Sequence, residues 1–307
     1  MVQRAGQFLS YLVVRVVICV AQAVPLEACH QAARLLAVLF ADVLHVREAT
    51  ILDNLRHALP ELSEARRRRL ARKMWEHLFL FAAETAQTPR KIHETNWREF
   101  LDLRHQDVLV RLLLSDRPLI MVSGHFGSFE LAGYVMALFG YTTYAVAREL
   151  DNPYLDDFVY RSRCVKGQHI LSKKGDYQRI GQVLAESGTM SFLADQYAGS
   201  KGCWVNFFGR PVSAHKAIAL FALDSDAPLA VGYCRRAGGP LRYEMALTGV
   251  ADPRSAGDEV GSVRALTQWY TSHLEESIRQ APEQYWWLHK RWKDNRAARR
   301  RSVKKAA

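Results

Sequence analysis

What the chain lacks narrows it first. No Gly-x-Ser-x-Gly occurs, so nothing signals a serine hydrolase elbow. Gly-x-x-x-x-Gly-Lys-Ser/Thr, Gly-x-Gly-x-x-Gly and His-Glu-x-x-His are also absent, which sets aside many nucleotide- and zinc-dependent chemistries. The five cysteines (Cys19, Cys29, Cys164, Cys203 and Cys234) are scattered, odd in number and never spaced Cys-x-x-Cys. That pattern argues against a disulfide framework or a structural zinc and favours a reducing compartment. No metal set and no cofactor are expected. Internal repeats and low-complexity linkers are missing too. Acidic residues are few, 31 against 42 Lys plus Arg, a net charge of +11 that suits an anionic partner such as a membrane surface, a phosphorylated molecule or nucleic acid. With 49% hydrophobic and 24% charged residues, the 307-residue chain is neither disordered nor polytopic.

Long apolar runs are scarce, and the clearest one is at the start. Residues 8–24 form a largely apolar run, broken by Arg15, that ends before Pro25. As a helix this run spans roughly 26 Å, marginal for a bilayer core. Ala21-Gln22-Ala23 resembles a signal cleavage site, but Arg15 inside the run speaks against a signal peptide. With the amphipathic residues 32–44 it reads as a membrane-seated helical entry; two buried helices of a soluble bundle are the alternative. The positive charge is clustered, at Arg66–Arg69 with Arg72 and Lys73, and again between Lys290 and Lys305, where nine cations face only Asp294. Either cluster could equally be a solvated face or a frayed end.

Ser63 is a candidate N-cap for a helix over 63–87, with Leu70, Met74, Leu78 and Phe81 at helical spacing and Pro89 as the stop. Beyond about residue 105 strands and helices alternate. The strands fall at 119–122, 141–147, 190–194, 229–233 and 242–247, and the helices at 128–139, 153–165, 176–186 and 259–279. That order predicts an α/β fold with a mostly parallel, buried sheet flanked by helices. Four parts are expected: a membrane-anchoring helix (1–27), a helical segment (28–104), the α/β core (105–293) and a basic tail (294–307).

Within that frame the chemistry points to Gly124-His125-Phe126-Gly127-Ser128-Phe129-Glu130. A His followed five residues on by an acid is weak alone; 11 His and 31 acids predict about one such pair by chance, and the chain has two, the other being His289/Asp294. Context separates them. His125 follows a buried strand, lies between two glycines and opens a helix, at the strand end where ligands collect in open α/β sheets. His289 lies in a basic, tryptophan-rich stretch. A neutral imidazole has the right basicity to take a hydroxyl proton near pH 7, and a carboxylate on its other nitrogen holds the tautomer. Glu130, about one turn into the helix, is the expected carboxylate. An attacking substrate hydroxyl then needs no protein nucleophile.

These residues and several further blocks resemble the bacterial lipid A biosynthesis acyltransferases, relatives of the glycerolipid acyltransferases with their His-x-x-x-x-acid signature. The similar blocks are Asn54-Leu55-Arg56 with Leu59-Pro60-Glu61-Leu62-Ser63, Gly124 to Leu131, and Val146-Ala147-Arg148 with Asp151 to Asp156. After them come Arg163, Ala194-Asp195-Gln196 followed by Phe207-Phe208-Gly209, and Pro282 to Lys293, all in the family's order. The resemblance implies a glycerolipid acyltransferase-like fold with His125 and Glu130 as the catalytic pair. It makes Arg163, Asp195 and Gln196 site residues, with Arg148 and Asn152 helping to shape the site. Phe207, Phe208 and Trp204 are candidates for an acyl pocket or for plain core, and His289 to Lys293 for a structural or interfacial role.

The resemblance further implies transfer of a fatty acyl group from an acyl-carrier-protein thioester, or from acyl-CoA, to a hydroxyl of a phosphorylated glycolipid of the lipid A type. The setting would be the cytoplasmic face of the inner membrane, with no nucleic acid involved. Ser162 stands where the family has a glycine, and the tail is unusually basic, so other acceptors stay open: a lysophospholipid or a glycolipid such as a phosphatidylinositol mannoside. The reading from another class is a non-catalytic basic protein that binds membrane or nucleic acid.

Overall fold

The computed structural model describes residues 2–164, 167–172, 176–255 and 260–293. The basic tail expected at 294–307, with Asp294 and Arg299–Arg301, lies outside the described residues.

Four helices come first: α1 (Val2–Ala23), α2 (Leu26–Val38, ending in a π turn at Leu39–Val43), α3 (Glu48–Ala58) and α4 (Glu64–Lys91). Ser63 caps α4, its Oγ accepting the Arg66 N–H at 3.4 Å. Pro89 does not stop α4. It sits in the last turn, where its missing N–H forfeits the one bond to the Thr85 carbonyl, and Ile92 still closes on the Thr88 carbonyl at 2.9 Å. Residues Arg4–Ala23 of α1 are long and apolar enough to cross a membrane.

Then follow β1 (Leu101–Leu103), α5 (Gln106–Leu113), β2 (Leu119–Ser123), α6 (Phe129–Leu138), β3 (Thr143–Ala147), α7 (Pro153–Cys164), β4 (Gln168–Ser172), α8 (Tyr177–Ala185) and β5 (Thr189–Leu193). A separate antiparallel hairpin, β6 (Cys203–Phe207) with β7 (Arg210–Ala214), leads to α9 (Lys216–Asp224), β8 (Leu229–Arg236), β9 (Tyr243–Ala251) and α10 (Val263–Gln280). The sheet order is β1-β9-β8-β2-β5-β3-β4, parallel throughout except for β8 against β9. The expected α/β class and largely parallel sheet are therefore present. The sheet begins at Leu101, ahead of the expected start of the core at 105.

Strand alternation sends successive side chains to opposite faces. On one face Ile120, Val122, Met190, Leu229 and Val231 pack with α8, α9 and α10 into a closed core. The N-terminal helices are not a separate layer. Ile51, Leu55 and Trp75 share one buried cluster with Phe126, Tyr285 and Trp287, so α3 and α4 pack directly behind the His125 loop.

Candidate active site

The parallel register of β2 and β5 builds the site. Ser123 pairs with Leu193, and the Ala194 N–H donates to the Ser123 carbonyl at 2.9 Å. Two residues further along each chain, His125 and Asp195 therefore emerge side by side at the carboxyl ends of central strands. The His125 backbone N–H donates to Asp195 Oδ2 at 2.9 Å, and His125 Nδ1 lies 2.8 Å from Asp195 Oδ1. A carboxylate only accepts, so Nδ1 carries the proton and Nε2 is the free base. Gly124 makes room: a Cβ there would stand 3.3 Å from the Asp195 carboxyl carbon.

The carboxylate bonded to the imidazole is thus Asp195, whereas the spacing in sequence pointed to Glu130. The reason is local. Gly127 takes a left-handed φ of +60°, and α6 begins only at Phe129, so Glu130 in its first turn faces α7. There it receives a two-pronged contact from Arg163, with Nε to Oε2 at 3.0 Å and a second, closer bond from the other guanidinium nitrogen. Glu130 still lies near enough for its charge to favour protonation of His125.

Burial pulls the His125 imidazole down, but the charge and hydrogen bond of Asp195, with Glu130 behind them, outweigh it and leave His125 above its ordinary value. Burial would push the Asp195 carboxyl up; the His125 charge and its two bonds hold it far below the usual range instead. The imidazole is walled by Phe129, Trp286 and His289, with ring centres at 5.3, 5.2 and 5.0 Å. Burial and the neighbouring charges of His125 and Arg47 lower the His289 pKa.

The remaining expected residues divide. Gln196 Nε2 stands 3.5 Å from His125 Nε2, at the margin of a bond. Arg148 and Asn152 do not join the cluster. Arg148 is exposed and pairs with Asp151 at 2.9 Å. Asn152 caps α7, its Oδ1 accepting the Tyr154 N–H at 3.0 Å, and its Nδ2 donates to the Gln7 carbonyl of α1 at 2.8 Å. Phe207 and Phe208 pack against Trp292 and Trp287 as core. Among the described residues no group of three or more His, Cys, Asp or Glu side chains could hold a metal ion.

The apolar space lies elsewhere. A cavity of about 400 Å³ runs over the second face of the sheet, beneath α5 and α6. Its floor mixes small residues (Ala145, Ala147, Ser191, Ala230 and Gly232) with Met121, Ile170 and Leu193, its walls include Leu109, Leu113, Phe129 and Met136, and Glu130 and Arg163 are its charged lining residues near His125.

Sequence reasoning missed three braces. Arg291, fully buried, donates to the Gln196 and Ser213 carbonyls at 2.8 and 2.9 Å. Asn54 donates to the carbonyls of Trp287 and His289 at 2.6 and 2.7 Å. His77 reaches the His125 loop from α4. The resemblance had marked the blocks around Asn54 and Arg291, though not what they hold.

Similarity to known proteins identifies the family. The family model described as bacterial lipid A biosynthesis acyltransferase matches residues 2–294. The lipid A biosynthesis palmitoleoyltransferase of Escherichia coli (strain K12) is 26% identical over 253 residues, covering 80% of this chain and 79% of that one. The lauroyltransferase of the same organism is 25% identical over 255 residues, with the same coverage. Among solved structures, the 1-acyl-sn-glycerophosphate acyltransferase of Thermotoga maritima aligns at a TM-score of 0.40 and 12% identity, over 88% of this chain and 100% of that one. The match over nearly the whole chain places this protein in the bacterial lipid A biosynthesis acyltransferase family, as an O-acyltransferase.

Proposed function

We propose that the protein transfers a fatty acyl chain from an acyl-carrier-protein thioester, or from acyl-CoA, to a hydroxyl of a phosphorylated glycolipid of the lipid A type, at the cytoplasmic face of the inner membrane. One observation carries the reading: an imidazole held by a buried carboxylate stands beside an apolar cavity with a charged Glu130–Arg163 pair in its lining. His125 Nε2 takes the acceptor hydroxyl proton as the oxygen attacks the thioester carbonyl. The tetrahedral intermediate collapses, the carbon–sulfur bond breaks, and the imidazolium returns the proton to the departing thiolate. Asp195 keeps Nδ1 protonated and stabilises the imidazolium. Glu130 holds Arg163 in place, and the guanidinium is positioned to meet a phosphate or developing negative charge. The cavity takes the acyl chain.

The first helix supports the membrane setting. Leu9, Val13, Val16 and Val20 form one exposed apolar stripe on α1, and the Leu35, Val38 and Val43 side chains of α2 and its π turn add to the exposed apolar surface. Lipid analysis of a deletion strain, complemented by wild type or His125→Ala, is the test. Loss of one acyl chain from lipid A, restored by wild type alone, is the expected result. An unchanged lipid A profile with a changed phospholipid or other glycolipid would move the acceptor.

A further inference from the structure

Beneath the His125 loop lies a buried polar cluster that the mechanism above does not use. Glu84 of α4, 1% exposed, bonds to Arg236 at the end of β8, with Arg236 Nε at 3.1 Å from Oε1 and a second, closer contact. Its carboxylate also accepts the Leu241 N–H at 2.6 Å and the Tyr243 hydroxyl. Arg236 extends its remaining nitrogen to His77 Nδ1 at 2.8 Å, and His77 Nε2 lies 3.2 Å from the Gly127 carbonyl oxygen.

The proton positions follow from the partners. A guanidinium only donates, so His77 Nδ1 accepts; a carbonyl only accepts, so Nε2 carries the hydrogen and donates to Gly127. Burial and the Arg236 charge lower the His77 pKa to about 3, so the ring is neutral at working pH. Gly127 has no slack. Its φ is +60°, and a Cβ there would stand 2.0 Å from the Cys234 carbonyl oxygen. Three backbone bonds also pin this loop: Gly127 N–H to the Gln284 carbonyl at 3.1 Å, Ser128 N–H to the Cys234 carbonyl at 2.6 Å, and Trp286 N–H to the His125 carbonyl at 3.1 Å. His77 supplies the side-chain bond, and it comes from α4, one of the N-terminal helices.

We infer that His77 is a positioning residue for acyl transfer: its Nε2–H, oriented by Arg236 and Glu84, holds the Gly127 carbonyl and so fixes the loop that aims His125 at Asp195. A neutral ring serves where a lysine would bury uncompensated charge. The inference rests on the proposed role of His125, and a small displacement of a base from its acceptor is enough to slow turnover.

The test uses full-length protein in detergent, with the donor–acceptor pair that wild type turns over, and compares His77→Phe, His77→Gln and His125→Ala. His77→Phe fills the space without the bond. Its kcat should fall on the order of 10²-fold with KM nearly unchanged. Its acid limb should move to lower pH as His125 loses contact with Asp195, Glu130 and His289 being the other titratable groups facing that ring. His77→Gln can donate to Gly127 and accept from Arg236 together, and it should restore kcat to within a few-fold of wild type. Wild-type kcat in His77→Phe overturns the inference, as does His77→Gln falling as far as His77→Phe while both melt like wild type. Normal turnover in His125→Ala would instead remove the reading beneath it. A measurement on wild type needs no folded variant: ¹⁵N-histidine NMR should show His77 neutral, protonated at Nε2 and not titrating between pH 5 and 8. An Nδ1-protonated ring, or titration in that range, would also overturn the inference.

Discussion

The two faces of the sheet are made by the same strands and finished differently. One face presents Ile120, Val122, Met190, Leu229 and Val231 to α8, α9 and α10 and closes completely. The other presents Met121, Leu193 and Ile170 beside the smaller Ala145, Ser191, Ala230 and Gly232 to α5 and α6 and leaves a cavity of about 400 Å³. The strand period alone decides which residue faces which way. Fold stability belongs to the filled face; the proposed reading gives the acyl chain to the hollow one, with His125 and Asp195 at the carboxyl ends of β2 and β5.

The sharpest break should come at those strand ends. His125→Ala and Asp195→Asn should each lower kcat by roughly 10²–10⁴ while the melting temperature stays near wild type. Steady-state assays on purified protein decide it; turnover close to wild type from either variant would dissolve the assignment. On the filled face, Leu229→Ala should cost about 2–5 kcal/mol in denaturant titration, with activity per folded molecule retained. Loss of turnover without loss of stability there would contradict the division.

Narrowing the container is a finer probe. Ala145→Leu should shift kcat/KM toward shorter acyl donors, by about tenfold or more between chains that differ by a few methylenes. A uniform loss across all chain lengths would mean the acyl chain lies elsewhere.

The pH profile separates the carboxylates. His125 must be neutral to accept a proton, and Asp195 raises its pKa, so wild-type kcat should rise through a limb above the ordinary histidine value of 6.5. Asp195→Asn removes the counter-charge, and the limb of its residual activity should move to lower pH. An unmoved limb would assign the titration to another group.

The last effect is thermodynamic. His77 has a folded pKa of about 3, against 6.5 as an ordinary histidine, so the unfolded chain binds more protons between those values. Stability should therefore decline as pH falls from 6.5 toward 3, and His77→Gln should decline less steeply in melting experiments. Equal slopes would mean that His77 is charged in the fold.

What could be read from the sequence follows from locality. Strands β2, β3, β5, β8 and β9 announced themselves as apolar or alternating runs. Strand β4 did not, because Gln168, His169 and Ser172 sit at the sheet edge, where polar side chains are tolerated. The β6–β7 hairpin was hidden by Arg210-Pro211. His125 stood out through its glycines and its strand. The bond from His125 to Asp195 spans 70 residues and depends on the β2–β5 register, which no local spacing encodes. Spacing favoured Glu130 because a helix start lies nearby in sequence, yet its side chain was already claimed by Arg163. His77 and Arg291 show no local pattern, since each acts on a backbone carbonyl far along the chain.

Arg15 interrupts the apolar run of α1. In the fold its guanidinium lies 4.6 Å over the Phe158 ring of α7, beside a Tyr11–Tyr154 contact, and on the same side Gln22 donates to the Ala86 carbonyl at 2.8 Å. Tyr11, Arg15 and Gln22 thus mark one meridian of α1, and Leu9, Val13, Val16 and Val20 mark another. The helix therefore has a fixed compass bearing, and it cannot roll about its axis without uprooting α7, which carries Arg163. In the proposed membrane setting the azimuth of this helix matters as much as its depth, and Arg15, Tyr11 and Gln22 together set it.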